Sequence, residues 1–229
     1  MRINDDLTRI IDAYPGRFVG FASIGFGNPQ RSIAEVDRCI NELGFVGVQV
    51  FSNIANRVLD SAEFLPILRH IATLGVPIHL HPHSGAPLNL VGMDAPSLVV
   101  SLGFVYDTSL NTLRLIQSGL FDQAPTLKLI VSHVGGVLPY LTGRIEAALA
   151  HPFDHYLTNL YVDSVCYHIQ ALECCYGVMG ALYGTDHPFG SHRIAAELVE
   201  RLACSPADRE LIYYGNAERL FGLSDRTGT

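Results

Sequence analysis

The chain has 229 residues, within the size of one large domain. Hydrophobic residues make up 48% and charged residues 16%, and 15 basic against 22 acidic side chains leave −7. This excludes disorder and a generalised basic surface for nucleic acid. No run of about 18 apolar residues is present, so no membrane partner is expected. The opening MRINDDLTRI carries acids and no apolar h-region, and is not expected to be a signal peptide.

The cysteines are Cys39, Cys166, Cys174, Cys175 and Cys204. An odd count without a CxxC argues against a disulfide framework or a cysteine zinc site. They read as small buried apolar residues in a reducing cytoplasm. The charged fraction lies below the roughly 25% of ordinary domains. Part of the surface is therefore expected to be covered by another subunit.

Short β-branched or aromatic runs alternate with stretches of helical period, the pattern of βαβ units around a parallel sheet. Strands are predicted over 18–24, 46–51, 77–81, 127–133, 160–165 and 181–186. Helices are predicted near 32–43, 62–74, 109–119, 137–149, 168–177 and 192–204, with short closing turns at 206–213 and 217–221. Gly44, Gly75 and Gly119 end three of them. Residues 1–229 read as a single domain of six βα units. A closed eight-stranded barrel takes roughly 250 residues. Periodicity alone leaves two architectures open: a barrel two units short, or an open doubly wound sheet.

In α/β domains the chemistry lies at the C-terminal ends of the strands. The third strand ends His79-Leu80-His81-Pro82-His83, and the strand period puts His79 and His81 on one face. The fourth ends Ser132-His133-Val134-Gly135-Gly136, and the sixth Thr185-Asp186-His187-Pro188. Imidazole and carboxylate at strand tips suit Zn²⁺ or a similar ion with a position left for water. Each feature alone has a plainer reading. A strand-end histidine is commonly a surface group, and Asp186 could cap a helix. Together, three strand tips favour a shared polar site. Asp163 is read as a carboxylate bonded to backbone amides of the following loop. His70, His151, His155, His168 and His192 are read as structural or surface histidines. Gly25-Phe26-Gly27 lacks the third glycine of a dinucleotide fingerprint and is rejected.

At these residues the chain resembles the amidohydrolase-related family that contains aminocarboxymuconate semialdehyde and γ-resorcylate decarboxylases and related metal-dependent hydrolases. The segments that carry the resemblance are RFVGFASI (17–24), ELGFVGVQV (42–50), PIHLHPH (77–83), GLFDQAPTLKLIVSHVGGVLPYLTGR (119–144), LYVDSV (160–165), LYGTDHPFG (182–190) and GNAERLFGL (215–223). The resemblance implies a TIM-type (β/α) barrel, a homodimer or larger homo-oligomer, and one divalent metal at the strand tips. The metal would be Zn, with Mn or Fe as alternatives. His81 matches a metal-binding histidine. His133 matches a histidine that activates the metal-bound water or assists proton transfer. Asp186 matches a metal ligand that also shuttles a proton. Arg144 matches an arginine that reaches a neighbouring subunit's site to bind substrate carboxylate, a task suited to bidentate pairing.

The family's first strand carries a His-x-His pair of ligands, and the match here begins at what would be the third strand. Two strands and two ligands are thus expected to be missing from the 229 residues. Either the gene product is shortened by roughly 60–80 residues, or a partner subunit covers an open barrel edge, which would otherwise be an aggregation hazard. The function expected is a cytoplasmic metal-dependent hydrolase or non-oxidative decarboxylase of a small carboxylate. The alternative is a catalytically silent relative that serves as an oligomeric or ligand-binding protein. The loop 85–102 is expected to cover the site, with Met93 and Phe104 favouring a flat, apolar substrate face.

Overall fold

Five of the six expected strands form one parallel sheet. β1 (Phe21–Ser23), β2 (Gly47–Phe51), β3 (Ile78–His81), β4 (Leu129–Val131) and β5 (Leu160–Val162) pair in chain order. The structure is a computed structural model and describes residues 2–83, 92–93 and 95–223. The sixth predicted strand contributes one parallel bridge, Leu182 opposite Asp163. The pairing stops there: the Gly184 N–H, next in line on that side, donates to the Ser164 hydroxyl at 3.1 Å and not to a backbone carbonyl.

Parallel neighbours require crossovers, and helices supply them. Pro29–Asp37, Leu65–Thr73, Phe104–Gln117, Leu138–Glu146, Ile169–Met179 and His192–Arg201 fall where helices were predicted. Asn28 caps the first of these by accepting from the Arg31 N–H at 2.9 Å, and Pro29 opens it. The helix expected from 109 begins earlier, at Phe104. No described helix is long and apolar enough to cross a membrane. All five cysteines are free thiols; Cys39 and Cys175 are buried as expected, whereas Cys166, Cys174 and Cys204 are only half-buried.

The strand period sorts side chains between the two faces. Val48, Val50, Ile78, Leu80, Leu129, Val131, Leu160 and Val162 are buried in the main core, under the helices. Each such burial contributes about 1.5–3 kcal/mol. Gln49, His79, Ile130 and Tyr161 share the opposite register row, on the concave face. There Ile130, Leu182 and Leu220 form a second small cluster with Phe21 and Phe221 packed on it. The closing helix Asn216–Phe221 plugs the sheet's curve, its Phe221 ring meeting Phe21 edge-on at 5.5 Å. Gly47 lets Phe21 lie flat across β2, because a Cβ there would run into the Phe21 ring and come within 2.8 Å of the Pro77 carbonyl.

Helix Arg2–Ala13 was not foreseen. It lies along β1, an edge strand whose free backbone groups need covering. The fully buried Asn4 does so. Its side chain donates to the Ser23 carbonyl and accepts from the Ser23 N–H, both at 2.9 Å, as a neighbouring strand would. Asn4 also donates to Glu35 at 2.7 Å. The Arg38 guanidinium holds that carboxyl down at about 2, against the effect of its burial.

A second buried polar network lies beyond the tip of β2. Asp107, on the helix Phe104–Gln117, is 2% exposed. Its carboxylate accepts from the Ser52 hydroxyl and, at 2.8 Å, from the Asn53 amide. Asn111, one turn on, donates to the Asp107 carbonyl at 3.0 Å and accepts from the Leu59 N–H at 3.1 Å. Removing the carboxylate leaves two buried donors unpaired, at about 1–3 kcal/mol each. Asp107→Ala is therefore expected to lower unfolding stability by about 3 kcal/mol in urea denaturation. A loss under about 0.5 kcal/mol, ordinary for a surface site, would show that the network carries no stability.

Candidate metal centre

His81, the last residue of β3, points to the concave face. Its Nδ1 lies 2.6 Å from the Pro82 carbonyl, so the N–H sits on Nδ1 and the Nε2 lone pair is free. This backbone bond is how proteins fix a metal-ligating histidine. Nε2 faces Asp186 Oδ1 at 3.4 Å.

His133 follows β4 and enters the site by an unusual turn. His133, Val134, Gly135 and Gly136 all have positive φ, between 51° and 74°. A left-handed turn costs roughly 1–2 kcal/mol per L-residue, and such strain collects at functional sites. Glycine is required at the last position, where a Cβ would run into the Ser109 hydroxyl and the Val105 carbonyl. Asp163 Oδ1 holds the turn by accepting the Val134 and Val165 N–H groups, both at 3.0 Å. Asp163 is thus bonded to backbone amides, as its sequence reading anticipated. Burial pushes the Asp163 carboxyl up, while His133 and these amides pull against that.

His133 Nε2 lies 3.9 Å from Asp186 Oδ2, and its ring centroid 5.2 Å from that of His81. Its Nδ1 is buried with no partner among the described residues. The backbone turn, rather than a bond on the far side of the ring, holds this imidazole in place. Burial alone would lower the His133 pKa, but Asp186 and Asp163 outweigh it and the net shift is upward. Asp186 is shifted down, by its bond to His133 against partial burial. Asp186 itself has φ 53° and precedes a cis His187–Pro188 bond.

The three residues read from separate strand tips therefore converge. Their ligating atoms all lie within 4.8 Å of one another. On a tetrahedral ion with 2.0–2.2 Å bonds, ligand atoms sit roughly 3.4 Å apart. Two imidazoles and a carboxylate, one imidazole with its tautomer fixed, fit a divalent metal in type and in spacing.

The other candidates separate clearly. His79 has both ring nitrogens engaged, Nδ1 2.7 Å from Gln49 Oε1 and Nε2 2.9 Å from Ser132 Oγ. Burial first, then the neighbouring imidazoles, pushes it down to about 3, so it is a neutral packing group. His83 sits 3.4 Å from Asn53 Oδ1 and so joins the Asp107 network. His70 pairs with Asp37 at 2.7 Å, and His187 stacks on His192 at 4.5 Å. Arg144 lies exposed on helix Leu138–Glu146 and does not line the cavity beside His81 and Asp186. Residues 85–91 and 94 of the expected covering loop lie outside the described residues. Phe104 opens its helix and does not line the cavity at the site.

That cavity measures about 220 Å³. His81 and Asp186 form its polar end, and Phe21, Ile130, Leu182 and Phe221 give it apolar walls. A larger depression of about 710 Å³ beside helix Pro29–Asp37 is an open surface feature, and its Glu35 and Arg38 are already paired. Sequence reasoning missed Asp107, Ser52 and Asn53. No local signal marks them, since an aspartate inside a helix ordinarily faces water.

Comparison with known proteins agrees with this geometry. Residues 1–223 match the amidohydrolase family. The γ-resorcylate decarboxylase of Polaromonas sp. is 34% identical, over 97% of this chain and 76% of its own length. The 2-amino-3-carboxymuconate-6-semialdehyde decarboxylase of Dictyostelium discoideum is 31% identical, over 96% of this chain and 66% of its own. The dihydroxybenzoic acid decarboxylase of Polaromonas sp., solved with bound manganese and 2-nitroresorcinol, superposes with a TM-score of 0.87 at 33% identity, covering 97% of this chain and 74% of that one. In these relatives the fold is the amidohydrolase barrel, which makes the parallel sheet here part of a TIM-type architecture. By fold and by matched sequence, the chain is an enzyme of the amidohydrolase family.

Proposed function

We propose that the chain is a metal-dependent decarboxylase of a small, flat aromatic carboxylate, with His81 and Asp186 as metal ligands and His133 as the proton-handling group. The observation that carries this reading is the convergence of these three side chains, their ligating atoms within 4.8 Å of one another, with His81 and Asp186 lining a cavity that Phe21, Ile130, Leu182 and Phe221 also wall. Decarboxylation is favoured over hydrolysis because the relatives at 31–34% identity are named as decarboxylases. When bound, the ion supplies Lewis-acid polarisation of a substrate oxygen. The chain's own residues do the rest. Phe21 and Phe221 offer edge and face contacts to a ring. His133 holds Nε2 3.9 Å from Asp186 Oδ2, from where it can deliver a proton to the carbon that loses CO₂ and recover it through Asp186. The ion is divalent; manganese in the Polaromonas neighbour and the histidine-rich set here make Mn²⁺ and Zn²⁺ the two to reconstitute first.

Arg144 is proposed to bind substrate carboxylate in the site of a second copy, within a homo-oligomer in the cytoplasm. Its exposure, beside the 61% exposed Tyr140 and the exposed Leu141, supports a role across an interface. Mixing inactive Arg144→Ala and Asp186→Asn chains tests this. Random dimers would be half mixed, each with one intact site, restoring about a quarter of the wild-type rate. No restoration would place Arg144 outside the reaction.

The reaction itself is tested by supplying metal-reconstituted protein with hydroxylated benzoates and, in parallel, with their esters and amides. Metal-dependent CO₂ release from a benzoate is expected. Cleavage of an ester or amide without CO₂ release would overturn the decarboxylase reading in favour of hydrolysis.

A further inference from the structure

A second group of potential ligands lies far from the strand tips. Asp122 sits on the helical turn Leu120–Gln123, which leads into β4. His151 precedes Pro152, and His155 lies within the short helix Phe153–Leu157 that leads into β5. In a parallel sheet, segments that lead into strands lie at the end opposite to the strand tips. This group and the catalytic centre are therefore at opposite ends of the strands.

His155 Nε2 lies 3.4 Å from Asp122 Oδ1 and His151 Nε2 3.8 Å from the same oxygen. All three ligating atoms fall within 4.8 Å of one another. The two imidazole rings lie 4.4 Å apart, tilted by 36°. These separations match the roughly 3.4 Å spacing of ligands around a tetrahedral ion with 2.0–2.2 Å bonds. The backbones that carry them are fixed. Leu120 and Phe121 are buried beside Asp122, and Phe153 and Tyr156 are buried on either side of His155. Phe121 and Tyr156 meet edge-on at 6.2 Å, and Glu146 caps the short helix by accepting the Phe153 N–H at 3.0 Å. The side chains are 42–50% exposed, so an ion could enter directly from solvent and keep water as its remaining ligand.

We propose that Asp122, His151 and His155 form a second metal site, of the Zn²⁺ class, at the end of the strands opposite the catalytic centre. Two imidazoles and one carboxylate favour borderline ions such as Zn²⁺ over Mg²⁺ or Ca²⁺, which take oxygen ligands. An ion here joins the segment before β4 to the segment before β5, and so stabilises the folded chain by mass action. The inference does not depend on the decarboxylase reading.

Zinc titration of metal-stripped protein at neutral pH tests it, with wild type compared against the His151→Ala/His155→Ala double variant. Wild type should bind one more zinc per chain than the double variant. Asp122→Asn should weaken that event by at least about tenfold. His81→Ala should leave it intact, separating it from the strand-tip site. Because all three residues are surface groups, the double variant should keep the wild-type melting temperature without metal and lose the part of the zinc-dependent stabilisation that His81→Ala retains. Equal zinc stoichiometry in wild type and double variant would overturn the proposal. So would an extra zinc that His81→Ala abolishes.

Discussion

Asp186→Asn is expected to abolish turnover, by at least about a thousandfold, while leaving the fold intact. The carboxylate is the hinge of the site, with Oδ1 facing His81 and Oδ2 facing His133. An amide keeps the size of the group but removes its charge, and with it a metal ligand. Asparagine also tolerates the left-handed backbone that Asp186 adopts at φ 53°. Its melting temperature should therefore stay near that of wild type. A variant that melts normally, loses its strand-tip ion and is inactive fits the mechanism. A variant that keeps wild-type turnover contradicts it.

His133→Asn separates proton handling from metal binding. Asparagine again tolerates the positive φ of 57° at this position, so the turn should persist. Loss of a positioned acid–base group costs about 10²–10⁴ in rate. The variant is thus expected to lose activity by that factor while His81 and Asp186 retain the ion. Parallel rate and metal assays decide the role. Unchanged metal with lost rate assigns His133 to the proton. Loss of the ion together with the rate would instead make His133 a ligand.

The strand tips were legible because the chemistry is local in sequence. His81, His133 and Asp186 each stand at the end of a β-like run and just before a breaker: His81 directly before Pro82, His133 two positions before Gly135, Asp186 two positions before Pro188. Parallel βαβ topology alone then brings such tips together. The strands were legible for the same reason, although the expected run 181–186 keeps only the Leu182 bridge. Its other residues look β-like in sequence, but the Gly184 N–H goes to the Ser164 hydroxyl and not to the neighbouring backbone.

What stayed hidden depends on contacts between distant segments. Helix Arg2–Ala13 presents only Leu7 and Ile11 to the core and leaves Ile3 and Ile10 outside, so its apolar period is blurred. Asn4 matters because of Ser23, and Asp107 because of Ser52 and Asn53. His151 and His155 read correctly as surface histidines, but their convergence with Asp122 follows from two turns packing through Phe121 and Tyr156. The left-handed turn at His133 is half visible, in the two glycines after it. The positive φ of His133 and Val134 is imposed by Asp163, which is 29 residues from Val134.

The central claim is that His81 and Asp186 hold a divalent ion at the strand tips. Elemental analysis of protein purified without chelator, in wild type and in His81→Ala, tests it most directly. Wild type should carry one divalent ion per chain more than the variant, with manganese or zinc as the ion. Equal metal content in the two proteins, or none in either after incubation with Mn²⁺ and Zn²⁺, would contradict the claim.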